Sequence, residues 1–239
     1  MIVLGIDTAT PQVGVALAGP DGPLASLQVA GGRRHGEILA PAIDALCRLA
    51  SVGLDSVDAV AVDIGPGLFT GLRVGIATAQ ALAVTLDVPT VGRSSLDVLA
   101  HPHLRGGRAV AAVVDARRGE VFWALYRPGP AAMEAITAAA VCPPEAAVAA
   151  LAPLGGAGVL VVGDGGHRYA GVFGSVRGIE VAGPAHTHPS PEALVEMACA
   201  DLAAARAGGP PERLVPLYLR SADVRIGWDQ RSAPAERRG

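Results

Sequence analysis

Val3-Leu-Gly-Ile-Asp-Thr-Ala-Thr-Pro-Gln-Val-Gly-Val-Ala-Leu17 returns, without a gap, as Ala111-Ala-Val-Val-Asp-Ala-Arg-Arg-Gly-Glu-Val-Phe-Trp-Ala-Leu125. Asp7 falls on Asp115. Each copy is an apolar strand ending in aspartate, a short polar turn and a second strand. One such hairpin is common; two at half-chain spacing predict two related α/β lobes. The 239 residues suffice for two cores of ~100–120 residues each.

Working outward from the first copy, the pattern predicts strands at 1–8, 12–18 and 24–30, then helix 36–50, strand 57–64, helix 70–87, a short strand 88–92 and helix 94–101. Pro-His-Leu-Arg-Gly-Gly at 102–107 marks the junction, so the expected lobes are 1–103 and 104–220. The second lobe predicts strands 108–115 and 119–127, a third near 133–141, helix 143–152, strand 158–163 and helix 190–207. Val176–Val181 offers one more strand, and the Gly/Pro-rich stretch 164–189 has the weakest pattern. Residues 221–239 are charged and patternless, and are expected to be a disordered tail whose lone Trp228 is a stray aromatic or a docking residue.

Composition removes several classes. At 51% hydrophobic and 17% charged, the chain is globular rather than disordered. No uninterrupted apolar run reaches the ~18 residues of a membrane span, and the start reads as a core strand, not a signal peptide. Cys47, Cys142 and Cys199 are odd in number and widely spaced, which fits a reducing, cytoplasmic setting. A net charge of −3 supplies no global field for nucleic acid. All basic residues are arginine, so a phosphate loop with its lysine and a Schiff-base lysine are both excluded.

Gly65-Pro-Gly-Leu-Phe-Thr-Gly-Leu-Arg-Val-Gly75 joins the strand Val57–Ile64 to the helix from Thr70. Gly65, Gly67 and Gly71 with Pro66 at that junction force a sharp turn that leaves N–H groups at a helix start, either for an anion or partner segment or simply for close packing. In the helix that follows, Gly71, Gly75, Ala79 and Ala83 form a small-residue stripe, with Leu72, Ile76, Leu82 and Leu86 on another side. An element apolar nearly all round is expected to be buried on two sides, and the stripe would admit a second helix closely. Helix 36–50 is the neighbour in the same lobe, and both are expected to contribute to a subunit interface.

Asp7 and Asp115 end strands at hairpin turns. They could hold a metal–nucleotide complex between the lobes, or each could cap its own turn, with Arg117 and Arg118 offering Asp115 a local ion pair. The histidine pairs His101-Pro-His103 and His186-Thr-His188 lie in loops, no His-x-x-x-His lies on a helix, and no cysteine pair has metal spacing. No Gly-x-Ser-x-Gly elbow occurs, and Ser94-Ser95 after Gly92-Arg93 reads as a helix cap. His35, just before a helix, reads as a cap or interface residue. No catalytic residue and no metal ligand is expected from this set.

Ile6-Asp-Thr-Ala-Thr10, His35-Gly-Glu37, Gly65-Pro-Gly-x-Phe-Thr-Gly-Leu-Arg-x-Gly75, Ser94-Ser-Leu96, Asp115-Ala-Arg-Arg-Gly-Glu-Val121 and Pro216-x-Tyr-Leu-Arg220 resemble the bacterial TsaB (YeaZ) family in order and spacing, over about residues 1–220. The resemblance implies an α/β fold, the two-lobed duplicated ribonuclease-H-like (actin/sugar-kinase-like, ASKHA) fold. It implies a non-catalytic scaffold subunit that pairs with the catalytic TsaD-type paralogue for transfer of a threonylcarbamoyl group to the adenosine beside the anticodon of tRNAs reading codons that begin with A. It implies a TsaE-type ATPase as a further partner, a homodimer when the chain is alone, tRNA engaged only through the complex, and no membrane. No cofactor is assigned; ATP or ADP enters at the level of the complex. The catalytic paralogue's His-x-x-x-His pair has no counterpart here, so metal-dependent transfer is not expected, nor is a protease activity.

From that family, the partner interface is expected at His35, Ile38, Leu39, Ala42, Leu46, Gly71, Arg73, Gly75, Ala79 and Ala83. Asp7, Thr8, Gly65, Pro66, Gly67, Phe69, Thr70 and Asp115 carry the family signature and any nucleotide contact. Leu68 stands where the family usually has a small residue, often serine, which favours packing over phosphate binding in that turn. Arg33-Arg34 and Arg117-Arg118 offer local phosphate contacts within a complex. The competing expectation is an independent ATP-using enzyme of the kinase-like superfamily, built on Asp7, Asp115 and the Gly-rich turn.

Overall fold

The computed structural model describes residues 1–30, 32, 34–129, 133–206 and 208–220. The tail expected from 221 onward, with Trp228, and Arg33 lie outside the described residues. In the first lobe β1 (Val3–Asp7), β2 (Gln12–Gly19) and β3 (Gly22–Ala30) form an antiparallel meander. α1 (His35–Ala50) returns the chain to β4 (Ala59–Gly65), parallel to β1, and α2 (Phe69–Leu86) leads to β5 (Thr90–Ser94), parallel to β4. The sheet order is β3-β2-β1-β4-β5. α3 (Ser95–Ala100) follows, with Ser94 Oγ accepting the Leu96 N–H as its cap.

The second lobe repeats the plan with β6 (Ala109–Arg117), β7 (Glu120–Arg127), the short β8 (Glu134–Ala135) and β9 (Ala140–Cys142), α4 (Pro144–Leu151) and β10 (Val159–Val162). Then come α5 (Asp164–Arg168), α6 (Ala170–Phe173), β11 (Ile179–Val181) and α7 (Pro191–Ala203). Its sheet runs β11-β10-β6-β7-β8, with β9 also paired to β7. β1 and β6 hold the same place. Each has its hairpin partner antiparallel on one side and a crossover strand parallel on the other. The sequence repeat is therefore a structural one. The strand expected near 133–141 is two short pieces, and the helix expected to reach 207 stops at Ala203.

The cut at 103/104 follows the chain but not the cores. Leu4, Ile6, Val15 and Val62 face α1 and α2 on one side of the first sheet. Val3, Ala16, Ala18, Ala59 and Ala61 face the other way, and α7 covers them with Leu194, Val195 and Ala198. That face is built from small residues, so α7 lies close: a Cβ on Gly5 would come within 2.5 Å of Val195 Cγ1. Conversely Leu96, Leu99 and Ala100 of α3 join Val110, Ala112 and Val114 in a second-sheet core. Each half of the chain thus lends a helix to the other half's sheet.

Among the described residues α2 alone is long and apolar enough to cross a membrane, and it lies against β4 and α1 with Leu72, Ile76, Ala79 and Ala83 buried.

Candidate functional site

The parallel pairing of β1 with β4 brings two strand-end carboxylates together, Asp7 and Asp63, both fully buried. Asp7 Oδ1 accepts the Ala9 N–H at 2.9 Å. Asp63 Oδ1 accepts the Gly65 N–H at 2.7 Å and the Ser95 hydroxyl at 2.6 Å. Their second oxygens have no hydrogen-bond partner among the described residues, and each carboxyl lies close enough to perturb the other. Burial above all, then the Asp63 charge, holds the Asp7 carboxyl well above the usual carboxylate range. Asp63 is also raised by burial, and Ser95 and Gly65 favour its ionised form. Two carboxylates this close disfavour full ionisation together, and a proton shared by the pair sits on Asp7, which has one backbone donor where Asp63 has the Gly65 N–H and the Ser95 hydroxyl. Asp63 went unread in the sequence because it sits inside an apolar run. The signal was present in outline: an aspartate at the end of a strand that must lie beside β1.

The Gly-rich turn is filled by its own lobe. Gly65 has φ of 103°, a region that favours glycine, and the Gly65–Pro66 peptide is cis. A Cβ on Gly67, Gly71 or Gly75 would overlap Ala9 O, Thr8 O or Thr8 Oγ1 respectively. The Thr8 hydroxyl donates to Gly71 O at 2.8 Å, and the Leu68 N–H donates to Ala9 O at 2.7 Å. These glycines let α2 press onto the β1–β2 turn, and the Leu68 N–H that an anion would need is spent on that contact.

The lone chain places the expected interface residues mostly in its own core. Gly71, Gly75, Ala79 and Ala83 are buried within the lobe, with Gly71 and Gly75 against Thr8. His35, Leu39, Ala42 and Leu46 are core residues of α1, and the His35 Nε2–Thr10 O contact is 2.8 Å. Periodicity identified the small stripe, but the neighbour it admits is the lobe's own sheet. Of the expected set only Arg73 is exposed, with Ile38 half-buried. Among the residues that α1 and α2 leave exposed are the uncharged Leu49 (75% exposed), Val84 (65%), Thr70, Ala77 and Ala81, with the charged Glu37, Asp44, Arg48 and Arg73. Beside these runs a groove of about 550 Å³ between the two helices, lined by Ile43, Cys47, Thr78 and Leu82 among others.

Asp115 does not meet Asp7: among the described residues no hydrogen bond or ion pair joins them. Asp115 Oδ1 accepts the Arg117 N–H at 2.9 Å, and Oδ2 faces Arg117 Nη1 at 3.0 Å and Arg168 Nη1 at 3.7 Å. Both aspartates cap their own turns. The matching strand–glycine–helix junction in this lobe is Gly163-Asp-Gly-Gly166, in the stretch whose pattern was weakest. Gly163 has φ of 103°, like Gly65, and Asp164 Oδ1 accepts the Asp115 N–H at 2.9 Å.

A strap from Gly209 to Arg220 crosses from one turn to the other. Thr90 and Gly209 form an antiparallel bridge. Gln80 Nε2 donates to Pro211 O and Leu214 O, and the Leu217 N–H donates to Ile64 O at 2.7 Å. Phe69 and Tyr218, each about half exposed, lie with ring centroids 5.5 Å apart, and the Arg73 guanidinium sits 3.9 Å from the Phe69 ring centroid. Arg220 then reaches Glu120 and Ala116 O. The two histidine pairs do meet, His103 and His186 edge-on at 4.7 Å. Among the described residues, though, no cluster of three or more histidine, cysteine or carboxylate side chains is placed to hold a metal.

Two β-hairpins of one plan, each with a parallel crossover strand and exchanged helices, define a two-lobed α/β protein of the duplicated ribonuclease-H-like, actin/sugar-kinase-like class. A family model described as TsaD, tRNA N6-adenosine threonylcarbamoyltransferase, matches residues 28–169. The solved structure of YeaZ from Pseudomonas aeruginosa is 32% identical, covers 91% of this chain and 99% of its own, and superposes with a TM-score of 0.80. Escherichia coli K12 tRNA threonylcarbamoyladenosine biosynthesis protein TsaB is 38% identical over 129 residues, 53% of this chain and 55% of that protein. The Bacillus subtilis protein of the same name is 32% identical over 127 residues, 53% of this chain and 56% of its own length. The chain belongs to the TsaB (YeaZ) family.

Proposed function

We propose that this chain is the non-catalytic scaffold subunit of a tRNA threonylcarbamoyladenosine synthesis complex, pairing with a TsaD-type catalytic paralogue. A role in that biosynthesis follows from family membership. The observation that carries the scaffold reading is the outward face of α2, where Thr70, Ala77, Ala81 and Val84 are exposed and uncharged and Arg73 is the one charge. Set beside the α1–α2 groove, this is a face suited to another helix pair. The same face serves a homodimer when the paralogue is absent. A TsaE-type ATPase joins the complex, ATP or ADP binds there rather than to this chain alone, and the setting is cytoplasmic. The closed Asp7–Asp63 pair and the arginine-covered Asp115 weigh against an independent ATP-using enzyme.

Reconstituted tRNA modification with the catalytic paralogue, the ATPase and the adenylate-forming enzyme tests the reading. Product is expected only when this chain is added, with none from the chain alone. Equal product without it overturns the reading, and nucleotide turnover by the isolated chain would favour the enzyme alternative.

A further inference from the structure

The β6–β7 turn is built at odds with its residues. Arg118 and Gly119 form a two-residue connection with φ of 56° and 79°, and Arg117 before them has φ of 63°. Positive φ at both central positions marks a turn that favours Asn-Gly or Gly-Gly, and a side chain such as arginine is strained there. Arg118 is exposed and, among the described residues, makes no ion pair or side-chain hydrogen bond. Internal packing gives no reason for it.

Its neighbours turn the same way. One buried carboxylate, Asp115 with its side chain 4% exposed, anchors both Arg117 and Arg168, whose side chains are more than half exposed. Arg220 is tied to Glu120 and Ala116 O on the same hairpin. Four guanidiniums from three segments thus crown the turn of a chain whose net charge is −3. The carboxylates among them are Asp115 and Asp164, which hold the layer beneath, and Glu120. Two residues before Arg220, and so within about 7 Å along the chain, the exposed Tyr218 and Phe69 rings begin, with Arg73 stacked on Phe69. Arginines for phosphates beside half-exposed aromatic rings are the composition of an RNA-binding surface.

We propose that the β6–β7 turn, with Arg117, Arg118, Arg168 and Arg220, contacts the phosphodiester backbone of the RNA substrate. This rests on the tRNA-modification reading above. The test is anisotropy titration of a labelled tRNA reading a codon that begins with A. The tRNA is bound by the complex of this chain with its catalytic paralogue across a potassium chloride series. Arg118→Asn removes an unpaired charge while supplying a residue the turn prefers; the Arg117→Asn/Arg118→Asn pair also takes a partner from Asp115, which keeps Arg168 and the N–H of residue 117, so some loss of stability but not unfolding is expected. Kd is expected to rise roughly threefold or more per guanidinium, and the slope of log Kd against log salt to fall by about one per lost contact. Melting temperature should hold or rise for Arg118→Asn and fall modestly for the pair, and assembly should be unchanged by gel filtration.

Unchanged affinity and slope in the double variant overturn the proposal. So does loss of assembly, which would make the turn a protein interface, or loss of Mg-ATP binding alone, which would make it a nucleotide site. A wild-type complex that neither binds nor modifies tRNA defeats the functional reading as well. Modification by wild type with indifferent variants defeats only the turn's role.

Discussion

The two hairpins share a frame and differ in what covers their turns. In both, the strand-end aspartate accepts the N–H two residues on at 2.9 Å, Ala9 in one and Arg117 in the other. In the first, Ala9 and Thr10 are buried, because α2 is 18 residues long and its glycines press onto Thr8. In the second, α5 is five residues long, and its Gly165 packs on the β6 backbone before the helix ends. The turn beyond is left to solvent and carries arginines. The second hairpin is also tighter by one residue, with Asp115 opposite Val121 where Asp7 stands opposite Gly14. Duplication preserved the strands, and the length of the covering helix decided which copy could display side chains.

Exchanging the two environments should break the comparison most severely. Ala9→Arg puts a guanidinium where Arg117 has its counterpart, but under α2 and without water; we expect a loss above about 4 kcal/mol, or no folded protein, by thermal or urea melts. Arg117→Ala in the open turn should cost less, about 1–3 kcal/mol, because the buried Asp115 keeps Arg168 and the N–H of residue 117. Gly75→Val is the next largest effect, above about 2 kcal/mol, because its Cβ meets Thr8 Oγ1 and the helix must lift from the turn. Retained stability would mean that α2 does not seal the first turn.

The smallest effect sharpens the contrast between the aspartates. A proton held by Asp7 when folded and released on unfolding makes stability fall as pH rises from about 4 toward the raised value. Asp7→Asn keeps an acceptor for the Ala9 N–H and a donor toward Asp63, and no longer titrates. Melts of the variant should gain on wild type as pH goes from 5 to 8. A constant difference across that range would mean that the pair does not share a proton.

The repeat made two lobes legible, and apolar runs located most strands to within two residues. Which sheet a helix covers was not legible. α3 and α7 are apolar enough to pack, but nothing in their spacing says they pack across the halves. The stripe on α2 announces close approach without naming the neighbour, and spacing alone does not tell that Leu46 and Ala79 are buried in the lobe's own core. Asp63 was masked by the valines around it, and Arg168 and Arg220 acquire meaning only once folding brings them to residues 115–120.

The exchange of α3 and α7 sets an order on synthesis. A ribosome delivers the whole first sheet early, yet the face carrying Val3, Ala16, Ala18, Ala59 and Ala61 waits for residues 191–203. The lobe made first is the lobe completed last. Until α7 emerges, a growing chain carries an open apolar sheet, and a messenger truncated before that helix encodes two unfinished lobes rather than one finished and one missing.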